Sequence, residues 1–222
     1  MTQDQDRPFF RFPRWTDTVG KIVFATIGAG TVYLTALAVY AFSPKTVEVG
    51  YMPKQPVPYS HKMHAGELGM DCRYCHNTVE ESAFSSIPPT QTCMNCHAMM
   101  NKDSDKLQAV RESYATGLPV PWVRVHKLSE FAYFNHSAHV RRGVGCASCH
   151  GRIDKMEVVY KAKPLRMRFC LDCHRHPEKF LRPKDLITKM DYDAGDEQIT
   201  IGLKLKKEYN INPSTDCSTC HR

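Results

Sequence analysis

All ten cysteines of this chain fall in five copies of one pattern, C-x-x-C-H. The copies are Cys72 and Cys75 with His76, Cys93 and Cys96 with His97, Cys146 and Cys149 with His150, Cys170 and Cys173 with His174, and Cys217 and Cys220 with His221. Two thiols at this spacing can add to the two vinyl groups on one edge of a porphyrin. The residue that follows then sits beneath the ring, its imidazole towards the iron. Paired cysteines also bind zinc, or close into small disulfides in an oxidising compartment, but neither use needs a histidine directly after every pair. The pattern therefore predicts five covalently attached haem c groups with five proximal histidines.

An iron that only carries electrons takes a second axial ligand, and six histidines remain to supply it: His61, His64, His126, His136, His139 and His176. Four of them form two H-x-x-H doublets inside an internal repeat. Tyr59-Ser-His61-Lys-Met-His64 precedes Cys72 with Gly69 three residues before that cysteine, and Phe134-Asn-His136-Ser-Ala-His139 precedes Cys146 with Gly143 in the same place. The imidazoles of a doublet stand one helical turn apart, close enough to serve two neighbouring haems but not both faces of one. Two surface histidines would look the same in isolation; an aromatic in front and a haem motif behind, twice over, favours ligation. His126 is a lone histidine for which ligand and core residue are both open readings. His176 lies too near His174 to reach across the same ring and reads as a surface residue. Met156 and Met167, with Met99 and Met100 behind them, are candidates for Met/His ligation, which raises the potential relative to bis-His. For any single methionine, filling core space is the commoner role.

The elements that must hold these residues follow from composition. Residues 1–18 are polar, basic and aromatic, with Arg7, Arg11, Arg14, Phe9, Phe10, Phe12 and Trp15. From Ile22 to Phe42 no charge occurs, a run long enough to span a bilayer. Lys and Arg ahead of it and Trp15 and Tyr40 near its ends predict a transmembrane helix over 19–42, with the N-terminus cytoplasmic and the haem motifs in the periplasm. A cleaved signal, ending near Ala36-Leu-Ala38, is the competing reading, but the run is long for a signal core. Pro44, Pro53, Pro56 and Pro58 make 43–58 an expected stalk. Beyond it come two dihaem modules, 59–125 and 126–183, and a segment, 184–222, bearing the fifth site. The fold class expected is mostly irregular and α, with few short helices and little sheet. A capped helix is expected from Asp103 or Ser104 to Tyr114, with Leu107, Val110 and Tyr114 on one face. Ile199 to Leu205 alternates like a short strand, although a helix also fits.

The formal charge of +7 does not indicate nucleic acid. Beyond Lys21 the chain holds 26 basic and 20 acidic residues, an excess of +6. Ten haem propionates would bring that to about −4 with ferrous irons and about +1 with ferric irons. The basic run Lys161 to Lys189 is read as propionate counter-charge or solvated surface rather than a docking face. The low mean hydropathy, −0.44, fits a chain whose apolar bulk comes from porphyrin.

The doublets resemble those of class III cytochromes c. That resemblance implies that His61 caps the haem of His76 and His136 the haem of His150, with His64 and His139 capping haems elsewhere. The single anchor, the five motifs and the stretches Phe134–His139, Cys146–Gly151, Met156 and Leu165–Arg175 resemble the pentahaem cytochrome c subunits of bacterial alternative complex III. This likeness covers nearly the whole chain. It implies a quinol:electron-acceptor oxidoreductase of the inner membrane. The partners would be an iron–sulfur subunit related to molybdoenzymes, polytopic quinol-binding subunits and a monohaem cytochrome c. Electrons would leave for a periplasmic cytochrome, a cupredoxin or an oxidase. The relay itself would have no substrate site. A stand-alone quinol dehydrogenase like the small tetrahaem cytochromes is the alternative, against which the fifth motif counts. A reductase with an open, lysine-ligated iron is disfavoured because no C-x-x-C-K occurs.

Overall fold

The computed structural model describes residues 12–43, 46 and 48–221, in two compact units divided between residues 47 and 48. Arg7, Phe9, Phe10 and Arg11 of the N-terminal segment, and Pro44, lie outside the described residues.

The first unit is one helix, α1, Trp15–Ala41. Its 27 residues correspond to about 40 Å at 1.5 Å per residue, more than a bilayer's hydrocarbon core. Its best window has a mean hydropathy of 1.9, so by length and composition it can cross a membrane. Thr26, Thr31 and Thr35 turn their hydroxyls back to the carbonyls of Ile22, Ile27 and Thr31 at 2.8, 2.9 and 2.8 Å. These three threonine hydroxyls are thereby satisfied within the helix.

The second unit contains both repeats. Its helices are α2 (Cys72–Cys75), α3 (Thr90–His97), α4 (Gln108–Thr116), α5 (His136–Val140), α6 (Cys146–His150), α7 (Met167–Arg175), α8 (Gln198–Glu208) and α9 (Cys217–Cys220). A π-helical turn, Lys62–Glu67, carries His64 of the first doublet, with His61 just before it as its N-cap. Among the described residues no strand forms; the pairs Ala132 with His221 and Val144 with Leu181 are isolated bridges. Among the described residues few large hydrophobics are buried: Val57, Val110 and Val120 with Tyr59, Leu107 and Trp122 around them, then Val140, Met156, Leu181, Ile187, Met190 and Leu205. So sparse a core is too small to hold a unit of this length by side chains alone.

Several expectations are corrected. From Glu48 onward the expected stalk belongs to the second unit. Gly50 N–H donates to the Lys161 carbonyl at 2.8 Å and Lys161 N–H to that of Tyr51 at 3.0 Å, while Glu48 holds Lys161 and Arg166 at 3.3 and 3.0 Å. Gln55 exchanges two hydrogen bonds with the backbone of Val123. The prolines keep this segment extended, and its free backbone groups find partners on the second unit. Residues 199–205 are helical: α8 buries Gly202 and Leu205, one turn apart, against the turn Pro177–Lys179. Gly202 passes so close to the Glu178 carbonyl that a Cβ has no room. The helix α4 begins three residues later than expected, after a 3₁₀ turn at Asp105–Leu107, and the Ser104 hydroxyl caps nothing. Arg111 closes that end instead, donating to the carbonyls of Lys102 and Ser104. Tyr114 faces out, and Ser113 is buried in its place, donating to the Leu118 carbonyl.

Candidate functional site

All five motifs are helical, on α2, α3, α6, α7 and α9. The helix α2 is capped by Asp71, whose carboxylate accepts from Arg73 N–H at 2.8 Å and from the Arg73 guanidinium at 2.9 and 3.0 Å. The same carboxylate accepts from Thr188, tying the first motif to a distant loop. Asn135 caps α5, the second doublet, through Ala138 N–H.

The repeat seen in sequence is a repeat in space. Tyr59 stacks on His64 with ring centres 4.5 Å apart and meets His61 edge-on at 4.8 Å. Phe134 does the same to His139 at 4.4 Å and His136 at 4.8 Å. In each doublet the second histidine donates from Nδ1 to the carbonyl four residues back, His64 to Ser60 at 2.8 Å and His139 to Asn135 at 2.7 Å. A carbonyl only accepts, so Nδ1 carries the proton and the Nε2 lone pair is left for a metal.

The same device recurs around the site. His76 donates to Ser86 O, His97 to Met100 O, His136 to Ala83 O, His174 to Ser214 O and His221 to Phe131 O, at 2.6–3.2 Å. These backbone acceptors were invisible in sequence, because no residue type marks a carbonyl.

Three distal candidates face a proximal histidine. The ring centres of His64 and His97 are 6.2 Å apart, those of His139 and His174 6.1 Å, and those of His136 and His150 6.5 Å. A metal bridging two imidazole nitrogens with bonds of about 2 Å separates their ring centres by roughly 6 Å. His61 has His76 as its foremost histidine neighbour. Each doublet thus lies beside the two motifs of its own repeat, first histidine near the first motif and second near the second. Burial, then neighbouring imidazoles, pushes the pKa of His61 down to about 4 and that of His150 to about 3. These rings are neutral at neutral pH, the form that binds a metal.

The remaining candidates separate. His126 packs edge-on against His150 at 4.4 Å, too near for an iron between those two rings. Burial and the Lys161 ammonium hold His126 neutral, its pKa down at about 4. His176 is exposed and pairs with Glu178 at 3.5 Å. Met156 is buried, while Met167, Met99 and Met100 are 64%, 85% and 60% exposed. His221 has Phe131 as its ring neighbour, at 5.7 Å.

The thiols trace the order of the sites. Cys75 is an electrostatic neighbour of Cys93, Cys72 touches Cys146, Cys149 is beside Cys170, and Cys170 beside Cys220. Second, first, third, fourth and fifth motifs therefore follow one another in space. Buried cations, Lys161 and Arg182, accompany them. Arg182 leaves a buried Nε without a partner beside Cys146, and such a donor suits a propionate. Facing imidazoles, paired thiols and an unspent cationic donor fit haem c.

Comparison with known families agrees. Residues 39–117 match the class III cytochrome c family, and residues 132–222 match cytochrome c7 and related cytochromes c. A multiheme cytochrome c subunit of menaquinone reductase from Nitratidesulfovibrio vulgaris is 33% identical over 98 residues. That match covers 44% of this chain and 46% of the relative, less than half of each. The chain thus has a multihaem cytochrome c fold, similar to class III cytochromes over its first repeat and to cytochromes c7 over the rest.

Proposed function

We propose that this chain is a pentahaem electron relay anchored by α1 in the bacterial inner membrane, with its N-terminus cytoplasmic and its haem unit periplasmic. It receives electrons from quinol-oxidising and iron–sulfur partner subunits. It passes them to a periplasmic cytochrome c, a cupredoxin or an oxidase, in a complex of the alternative complex III kind. Iron porphyrin at the five motifs supplies reversible one-electron chemistry. The ten cysteines would hold it through thioether links, His76, His97, His150, His174 and His221 would be its proximal ligands, and His61, His64, His136 and His139 would be distal ones. Backbone carbonyls fix the tautomers of seven of these rings, so little reorganisation accompanies electron transfer.

The observation that carries the reading is the set of three facing histidine pairs at 6.1–6.5 Å, each joining a doublet to a motif of its own repeat. The thiol contacts, which run in single file through all five motifs, support a relay rather than isolated centres. The test is purification of the full chain in mild detergent, with intact mass and identification of co-purifying subunits. Five haem masses and an iron–sulfur partner are expected; the bare polypeptide mass would refute the relay.

The relative's name favours a second direction of flow, towards menaquinone. A row of low-spin haems is reversible, so direction rests on the partners' potentials. Rapid reduction of the purified chain alone by a quinol analogue would instead make it a self-sufficient quinol dehydrogenase.

A further inference from the structure

The third motif is built differently from the other four. The proximal rings of His76, His97, His174 and His221 each donate Nδ1–H to a backbone carbonyl. His150 does not: its Nδ1 is buried and has no partner. One ring away, the Nε2 of His126 is also buried and also without a partner. The two rings meet edge to face, centres 4.4 Å apart and planes at 72°.

The two atoms are chemically complementary. A proximal histidine bound through Nε2 carries its proton on Nδ1 and is a donor only. A neutral His126 with its proton on Nδ1 offers a lone pair at Nε2. Two buried polar atoms left open on touching rings are costly, whereas a donor and an acceptor brought together are not. The ring torsion of histidine is soft, so a modest rotation joins them.

We infer that His126 is a positioning residue of the third haem site, accepting through Nε2 the Nδ1–H of proximal His150 in place of the backbone carbonyl used at every other site. The inference rests on the proposed function, since it presumes haem at Cys146, Cys149 and His150. It gives the lone histidine of the sequence a role that does not touch iron. An imidazole in this position orients the proximal ring and raises its basicity, which favours ferric over ferrous iron. The site lies at the middle of the file of thiol contacts, between the first and fourth motifs. A shift in its potential therefore alters traffic between the two halves of the relay.

The test uses the full-length haem-loaded protein in detergent, with two substitutions and a redox titration followed by absorbance and by electron paramagnetic resonance. His126→Leu keeps the bulk and removes the acceptor. One of the five components should shift by about tenfold in its ferrous/ferric equilibrium, towards ferrous, or about 59 mV for one electron. The anisotropy of one low-spin ferric signal should change with it. His126→Gln restores a carbonyl acceptor and should return that component to within about twofold of the parent value. Haem content by intact mass separates the two readings: loss of the third haem from the unsubstituted protein refutes the proposed function. If all five haems are present and Leu leaves every component in place, the role of His126 is refuted. A shift equally large with Gln and with Leu refutes it too, since a packing role would respond to both.

Discussion

The two repeats use the same aromatic and histidine scaffold but finish it in opposite ways. In the first, the proximal ring of His76 is bonded through Nδ1 while the distal candidate His61 has a buried Nδ1 without a partner. In the second, the distal His136 is bonded to Ala83 O and the proximal His150 is not. The first motif is capped by the Asp71 carboxylate; the third begins at Gly145, which has no side chain to cap with and lies against the Arg182 guanidinium. The repeat thus fixes where histidines stand, and the surroundings decide how each ring is held. Two haem sites of one duplicated design can then differ in potential without a change of ligand type.

The contrast can be tested from its strongest element downward. Removing the second histidine of either doublet should act alike, because both are held by the same carbonyl bond. His64→Ala and His139→Ala should each move about one fifth of the haem from low-spin to high-spin absorbance. No spectral change in one of them would break the equivalence of the repeats.

The glycines should not act alike. Gly143 has φ +86°, and an added Cβ would stand 2.7 Å from the Arg182 carbonyl; Gly69 has φ +66° but open space around it. Gly143→Ala should cost about 3 kcal/mol or more and Gly69→Ala about 1 kcal/mol, read from denaturant unfolding followed by haem absorbance. Equal costs would show that backbone conformation alone matters there.

Asp71→Ala should cost about 1 kcal/mol as the loss of a cap, with no counterpart in the third motif. Hydrogen bonds from Arg73, outweighing partial burial, hold the Asp71 carboxyl down to about 2. A depressed carboxyl stabilises the fold above its unfolded value near 4 and loses that contribution as pH falls towards 2. The parent protein should therefore lose stability more steeply than the Ala variant between about pH 4 and pH 2 in acid titration of unfolding. The smallest effect belongs to the aromatic platform: Tyr59→Phe reproduces the residue of the other repeat and should change stability by less than about 0.5 kcal/mol in the same unfolding assay.

Much of the site was legible because covalent chemistry imposes sequence order. A thioether pair and its proximal ligand must be consecutive, so Cys72 to His76 and its four counterparts declare themselves. The doublets were legible as a repeat, and the resemblance to class III cytochromes joined His61 with His76 and His136 with His150. The placing of His64 opposite His97 and His139 opposite His174 was not, since it depends on how chain between the motifs folds back. His126 could not be read either way, because its role is set by an atom of His150 that sequence cannot show to be unpartnered. The helix at 198–208 was left open against a strand for a related reason. Alternating apolar residues suggested a strand, but the burial is of Gly202 and Leu205 against a turn twenty-odd residues earlier, a tertiary preference that overrides local pattern.

The junction at residues 131–133 has a temporal side. Tyr133 N–H donates to the Cys220 carbonyl at 2.6 Å, Ala132 bridges to His221, and the His221 ring reaches Phe131 across 90 positions of chain. Synthesis runs from the N-terminal end, so residues 131–133 are available long before their partners. The entrance to the second repeat therefore stays unlatched until the fifth motif arrives. That interval leaves the cysteines of the second repeat accessible until the C-terminal motif docks.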